Sequence, residues 1–288
     1  MTTRLIVVAA AAALAGAAAI VLALARQRWH AATGALRQRL FARASPNAAT
    51  FSAVQLDGLP APAARYLRAV LRDGQPIPCH VRIDWTGELN MGRPGADKWM
   101  SFSATQDFVP DAPGFVWEAR MRVAGIAVDV RDSFVDGEGS MLGKVFGLVA
   151  VVDRKGGDDL AVAALQRYLG ETIWSPTALL PTKGVRWVAV DERRATATIA
   201  GGSARATLEF RFGADGLVES VYAAERLYDD GRNPPGFHPW QARVLRYARI
   251  DGATVPAEAV VEWLLPTGAF PYWRGRPLRI EYDDRARR

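Results

Sequence analysis

Asp132 is the residue whose setting most suggests chemistry. It falls in the same alternation phase as Ile126, Val128, Val130 and Phe134, so a strand through these positions turns its carboxylate toward the apolar face. A buried carboxylate requires a partner. Arg167 and Glu171 stand four residues apart on a segment of helical periodicity, which places them one above the other on a helix that covers that face. Arg226 is available from the second half of the chain. Three chemistries fit this group: an internal ion pair, a polar anchor that orients an amphiphile's head group at the end of an apolar cavity, or general acid–base catalysis by Asp132 and Glu171.

Other catalytic patterns are missing from the sequence. Of the three His, His30 lies in the N-terminal segment, His80 precedes the first strand, and His238 sits among prolines in 234–240. No Cys/His spacing suits zinc, no Gly-x-Ser-x-Gly elbow occurs, and no Gly-x-x-x-x-Gly-Lys-Ser/Thr loop cradles a phosphate. Cys79 and His80 are neighbours, and neighbours on a strand point to opposite faces, which makes them a poor nucleophile–base pair. Asp191, Glu192, Asp229 and Asp230 read as turn acids. The sequence therefore calls for no metal and no cofactor. Eight of the nine Trp lie beyond residue 50; most fit a core between sheet and helices, and several together suit a cavity for an acyl chain. The candidate ligand-binding set is Trp117, Asp132, Arg167, Glu171, Trp174, Arg226 and Trp240, with the loop 237–240 over the mouth.

The elements that must position these residues follow from periodicity. A helix spans 59–72, with Ala63, Tyr66, Leu67 and Val70 on one stripe. Period-two alternation then marks strands through 81–86, 100–108, 115–123, 126–134 and 141–152. A helix starting at Asp158 presents Leu160, Ala164, Leu165, Tyr168 and Leu169 on one stripe, and Ser175-Pro176 ends it and opens a short second helix. Alternation resumes through 185–187, 195–200, 206–212, the Trp240–Ile250 region, 254–265 and 278–282, with turns at Gly201-Gly202, Asp215-Gly216 and Asp251-Gly252. The expected fold is α+β: a curved, largely antiparallel, half-barrel-like sheet of about 11–12 strands packed on two or three helices.

The N-terminus sets the location. Residues 5–25 are 21 positions without a charge, long enough to span a bilayer core of about 30 Å. Their length and the basic residues that follow favour a retained anchor, while Ala23-Leu24-Ala25 also fits a signal cleavage site. Six of the 36 Lys and Arg (Arg4, Arg26, Arg28, Arg37, Arg39 and Arg43) lie in residues 1–56, where no Asp or Glu occurs, so the remainder balances 30 basic against 30 acidic residues. The basic pI belongs to the anchor and its flank, and a neutral body lacks the phosphate-binding face of a nucleic-acid-binding protein. The five Arg after the apolar run place the body in the cytoplasm by the positive-inside rule. Residues 1–28 thus read as a single-pass membrane segment, 29–49 as a basic juxtamembrane helix (interfacial or a solvated stalk) and linker, and 50–288 as one α+β domain.

The segments Leu59-Pro60 with Arg65-Tyr66-Leu67, Pro113-Gly114-Phe115-Val116-Trp117, Asp132 with Gly137, Gly139 and Met141, and Arg167-Tyr168-Leu169-Gly170-Glu171 through Trp174-Ser175-Pro176 to Pro181 resemble an uncharacterised bacterial family with an N-terminal membrane segment. That resemblance spans nearly the whole body and implies no activity. The element order also resembles the half-barrels of LolA- and LolB-type lipoprotein carriers. This second resemblance implies a curved sheet enclosing a lipid cavity, in a bacterial inner-membrane protein whose body lies outside the cytoplasm. The leading expectation is binding of a lipid or other hydrophobic ligand beside the membrane. The alternatives are an interaction module of an envelope complex without a ligand, and a hydrolase using acidic residues.

Overall fold

The computed structural model describes residues 2–45, 48–123 and 125–283. Alternating apolar residues in the first half form β1 (His80–Asn90), β2 (Trp99–Val109), β3 (Gly114–Val123), β4 (Ile126–Val135), β5 (Glu138–Val145) and β6 (Val149–Lys155). The second half forms β7 (Arg186–Ala189), β8 (Arg194–Gly201), β9 (Ala204–Phe212), β10 (Val218–Tyr228), β11 (Gly236–Ile250), β12 (Ala253–Leu265) and β13 (Gly268–Asp283). The helices are α1 (Thr2–Phe41), α2 (Ala61–Val70) and α3 (Asp158–Glu171), with short 3-10 turns on both sides of Ser175.

All strands belong to one 13-stranded sheet in the order β6-β5-β4-β3-β2-β1-β13-β12-β11-β10-β9-β8-β7. Every described pairing is antiparallel. Each half is a meander, and the last strand returns to pair with the first. The sheet is a curled half-barrel, as the alternation implied, with one strand more than the upper count. The difference lies in 141–152, which is the hairpin β5–β6: Phe146 (φ 52°) and Gly147 (φ 71°) turn the chain through the left-handed region. Residues 237–240 are part of β11 and cover no mouth, because Trp240 is pinned opposite Trp263 on β12.

The concave face carries the core. Phe115, Trp117, Ala119 and Met121 of β3 and Val81, Ile83 and Trp85 of β1 point into it. Helix α3 crosses this face between the two wings, with Leu165, Tyr168 and Leu169 fully buried. Phe108 stacks on Tyr168 at 4.4 Å between ring centroids. The wings meet where the β4–β5 turn touches the β8–β9 turn. A Cβ on Gly137 (φ 83°) would lie 3.0 Å from the Gly202 Cα, so only glycine suits that approach. Arg154 of β6 ties the wings a second time through Asp229, at 2.6 Å.

Helix α1 is long and apolar enough to cross a membrane, and the most apolar stretch buries nothing against the body. Its C-terminal part neither lies free as a stalk nor presents Trp29 at an interface. It docks on the convex face of β2–β4, where Trp29 and Leu40 are buried. Leu40 packs with Val109, Val116 and Val135 in a small second core.

Candidate functional site

One row of residues runs across the concave face of the first wing: Ile83 of β1 faces Gln106 of β2, which faces Trp117 of β3, then Asp132 of β4 and Met141 of β5. Helix α3 lowers Arg167 and Glu171 onto this row. Arg167 donates from Nη1 to Asp132 Oδ2 at 2.6 Å and from Nε to Glu171 Oε1 at 2.9 Å. Gln106 donates Nε2–H to Glu171 Oε2 at 2.6 Å and accepts from Trp85 Nε1 at 3.1 Å. The guanidinium also lies over the rings of Phe115 and Trp117, at 4.9 and 5.0 Å. Glu171 ends α3, where a negative charge opposes the helix dipole, and its bonds to Arg167 and Gln106 compensate. The two carboxylates are bonded to one cation. Burial pulls the Arg167 pKa down, but Glu171 and Asp132 outweigh it and hold it above the usual arginine value.

Arg226 occupies the same interior from the other wing and has a different environment. On β10, Ala223 faces Trp240 while Arg226 faces His238. Two positions along β11 therefore oppose three along β10: a β-bulge. The extra residue reverses the alternation, so Arg226 points inward when strict period two from Ala223 would send it out. Helix α3 closes the bulge, with Gln166 Nε2 donating to the Glu225 carbonyl at 2.9 Å. Arg226 Nη2 donates to the Ala163 carbonyl at 3.1 Å, and its guanidinium lies 4.8 Å from the Trp240 ring and 5.7 Å from the Trp263 ring. Its Nε has no partner, and no carboxylate lies within ion-pair distance of it among the described residues. Burial is the main influence on Arg226 and lowers its pKa.

Of the seven sequence candidates, Trp117, Asp132, Arg167 and Glu171 form one cluster, and Arg226 and Trp240 a second one facing it. Trp174 stands apart: it donates Nε1–H to the Pro256 carbonyl at 2.8 Å and packs edge to face on Trp85 at 4.9 Å, which in turn donates to Gln106 of the first cluster. Arg226 was a possible partner of Asp132, but it does not pair with it; Arg167 takes that role. Gln106 and Trp263 belong to the site and escaped sequence reading, although the row position of Gln106, a polar residue in an apolar phase, was a usable signal.

A second polar network fills the joint between α1 and the convex face. Asp107, with a fully buried carboxylate, accepts from Arg37 Nε at 2.7 Å, His80 Nε2 at 3.1 Å and Arg82 Nη1 at 3.4 Å. Glu118 accepts from Trp29 Nε1 at 2.6 Å and Arg37 Nη1 at 3.1 Å. Arg39 and Arg43 reach Asp136. Burial would raise the Asp107 pKa, but the His80 hydrogen bond and the charges of Arg37 and Arg82 outweigh it and hold it below the usual carboxylate range. Among the described residues, no group of three or more His, Cys, Asp or Glu is placed to hold a metal.

Residues 49–275 match a family of unknown function, DUF6544. The chain belongs to the DUF6544 family. No curated protein matches it in sequence. Among solved structures, this DUF6544 member is similar to a DUF1329 family protein from Desulfovibrio piger, with 15% identity, TM-score 0.40, and coverage of 72% of this chain and 86% of that one. It is also similar to a beta-barrel-like protein of domain of unknown function DUF1849 from Brucella abortus, with 13% identity, TM-score 0.25, and coverage of 72% and 98%.

Proposed function

We propose that α1 anchors this chain in a bilayer and that the half-barrel binds an amphiphile with an acyl chain and an anionic head, the head resting on Arg226. The observation that carries this reading is half-buried Arg226, whose buried Nε is unpartnered and whose guanidinium lies over the Trp240 and Trp263 rings. A partly buried cation without a carboxylate is costly, and an incoming carboxylate or phosphate would remove that cost. Half-buried apolar side chains, including Tyr228, Val261, Leu265 and Tyr272, surround the same interior and suit an acyl chain.

The position of α1 supports a body held close to the membrane. The turns after β1, β3 and β5 lie along one rim, and α1 leaves the body there, with Ala25 beside Gly147. Met91, Ile126, Phe146, Leu148 and Val149 are exposed on that rim. A bilayer holding residues 5–25 would meet these side chains. The arginine asymmetry favours a cytoplasmic body, and a C-terminal alkaline phosphatase fusion active outside the cytoplasm would contradict that side.

A second reading, an interaction module without a ligand, is favoured by the close packing of Trp117, Trp174 and Trp240, each less than 5% exposed. The hydrolase reading gains no support, since Asp132 and Glu171 are bonded to the same guanidinium. The separating experiment is organic extraction of full-length protein purified from membranes in a nonionic detergent. Interior binding predicts an acidic lipid in the wild type that Arg226→Gln lacks, read by mass spectrometry; equal lipid content in the two would favour the interaction module.

A further inference from the structure

Beside the point where α1 leaves the body, a cleft of about 310 Å³ opens between the helix and the β5–β6 hairpin. Its lining includes Arg28 and Trp29 from the helix, Arg131 from β4, Leu142 and Lys144 from β5, and Leu148 from the hairpin turn. Three of these side chains are cationic and none is acidic.

The three cations lack carboxylate partners. Neither Arg28 nor Lys144 takes part in an ion pair among the described residues. Lys144 stands opposite Asp129 across the strands, but that carboxylate is taken by Arg120 at 2.8 Å. Arg131 is buried, donates Nη1–H to Thr33 Oγ1 at 2.9 Å, and lies over the Trp29 ring at 4.8 Å. The carboxylate opposite it across the strands, Glu118, accepts from Trp29, Arg37 and Thr33. Burial lowers the Arg131 pKa, with Arg37 adding to that and Glu118 opposing it.

The floor of the cleft also has a fixed depth relative to the helix. A Cβ on Gly147 would lie 3.5 Å from the Ala25 carbonyl oxygen, so the hairpin turn abuts α1 where its uncharged run ends. Phe146, Leu148 and Val149 around this turn are exposed. The cleft therefore presents cations on one side and apolar side chains on the other, at the level where a bilayer's phosphates would meet its acyl chains.

We infer that this cleft binds the phosphate head group of an anionic phospholipid from the bilayer that holds α1, with the exposed β5–β6 turn dipping among its acyl chains. The inference rests on the anchoring part of the reading above and is independent of the interior site at Arg226. Phosphate geometry suits Arg28 and Arg131, which can each donate two N–H groups, while Lys144 contributes a point charge. The ligand belongs to the surrounding membrane, so it would fix the tilt of the body over the bilayer.

The test uses full-length protein in a nonionic detergent and native mass spectrometry, with dioleoyl phosphatidylglycerol, dioleoyl phosphatidylcholine or inorganic phosphate added in turn. The inference expects phosphatidylglycerol to be retained in preference to phosphatidylcholine. The double variant Arg28→Gln/Lys144→Gln should lose roughly 30-fold of that preference for two basic side chains while melting like the wild type. An unchanged preference in the double variant would overturn the site, and phosphate retention without lipid preference would overturn the lipid. Arg226→Gln is the control for the interior: it should keep the preference, and its loss there alone would move the lipid inside and overturn the cleft. Alkaline carbonate washing checks the anchor separately, since wild-type protein released into the soluble fraction would overturn anchoring and cleft together.

Discussion

Strands β2–β4 are buried on both faces, and each face holds a network of charged side chains. On the convex face, Asp107 and Glu118 receive donors that α1 and β1 bring to them, among them Arg37, His80, Arg82, Trp29 and Thr33. On the concave face, Asp132 and Glu171 are satisfied by Arg167 and Gln106, but Arg226 remains beside them with an unpartnered Nε. The first network holds a helix on a sheet, with every carboxylate directly paired, although among the described residues His80 Nδ1 has no partner and Arg131 meets no carboxylate. The second is balanced in charge, two arginines against two carboxylates, but Arg226 touches neither carboxylate. Directly paired charges serve position and stability, whereas a cation without a direct partner is a cost that a ligand can remove.

That contrast can be broken by mutation. Arg167→Ala leaves two half-buried carboxylates without their cation and should lower stability by about 2–3 kcal/mol in denaturant unfolding. Asp107→Asn should cost about 2 kcal/mol at neutral pH, because three donors lose a charged acceptor. The pH dependence of that second effect has a definite sign. The folded Asp107 pKa is depressed, so its stabilisation is complete above the unfolded carboxylate value and is lost as pH falls through the folded one. The gap between wild type and Asp107→Asn should therefore shrink only below the ordinary carboxylate range; a constant gap from neutral to strongly acidic pH would show that charge is not what Asp107 contributes.

Two smaller effects sharpen the picture. Gly137→Ala should cost about 1–2 kcal/mol, since φ of 83° is unfavourable for alanine and its Cβ meets Gly202 across the seam of the wings. Arg226→Gln should change stability by less than about 1 kcal/mol in either direction, because it removes a charge with no direct ion pair and glutamine can still donate a hydrogen bond. A loss as large as that of Arg167→Ala would place Arg226 in a directly paired network after all.

The legible parts of this molecule were those governed by local period. The curved antiparallel sheet, α3 and the inward carboxylate of Asp132 follow from alternation and helical spacing within single segments. The partner of Asp132 was narrowed to two arginines and no further, because choosing between wings needs the curl of the whole sheet. The inward turn of Arg226 depends on one extra residue in β10, and a bulge leaves no mark in the alternation of so mixed a strand. The docking of α1 was hidden differently. Arg37, Arg39 and Arg43 have the composition of a membrane flank, and nothing local reveals that Asp107, Glu118 and Asp136 would answer them from the convex face.

The central claim is that Arg226, the arginine without a direct carboxylate partner, is the anion-binding group of a binding site. Its most direct test is retention of radiolabelled stearate and octadecanol, equal in chain length and different in charge, by full-length wild type and Arg226→Gln after gel filtration in detergent. An arginine–carboxylate hydrogen bond predicts that wild type prefers stearate and that Arg226→Gln loses roughly 10- to 100-fold of that preference, with octadecanol retention unchanged. Equal stearate retention by both proteins would contradict the account.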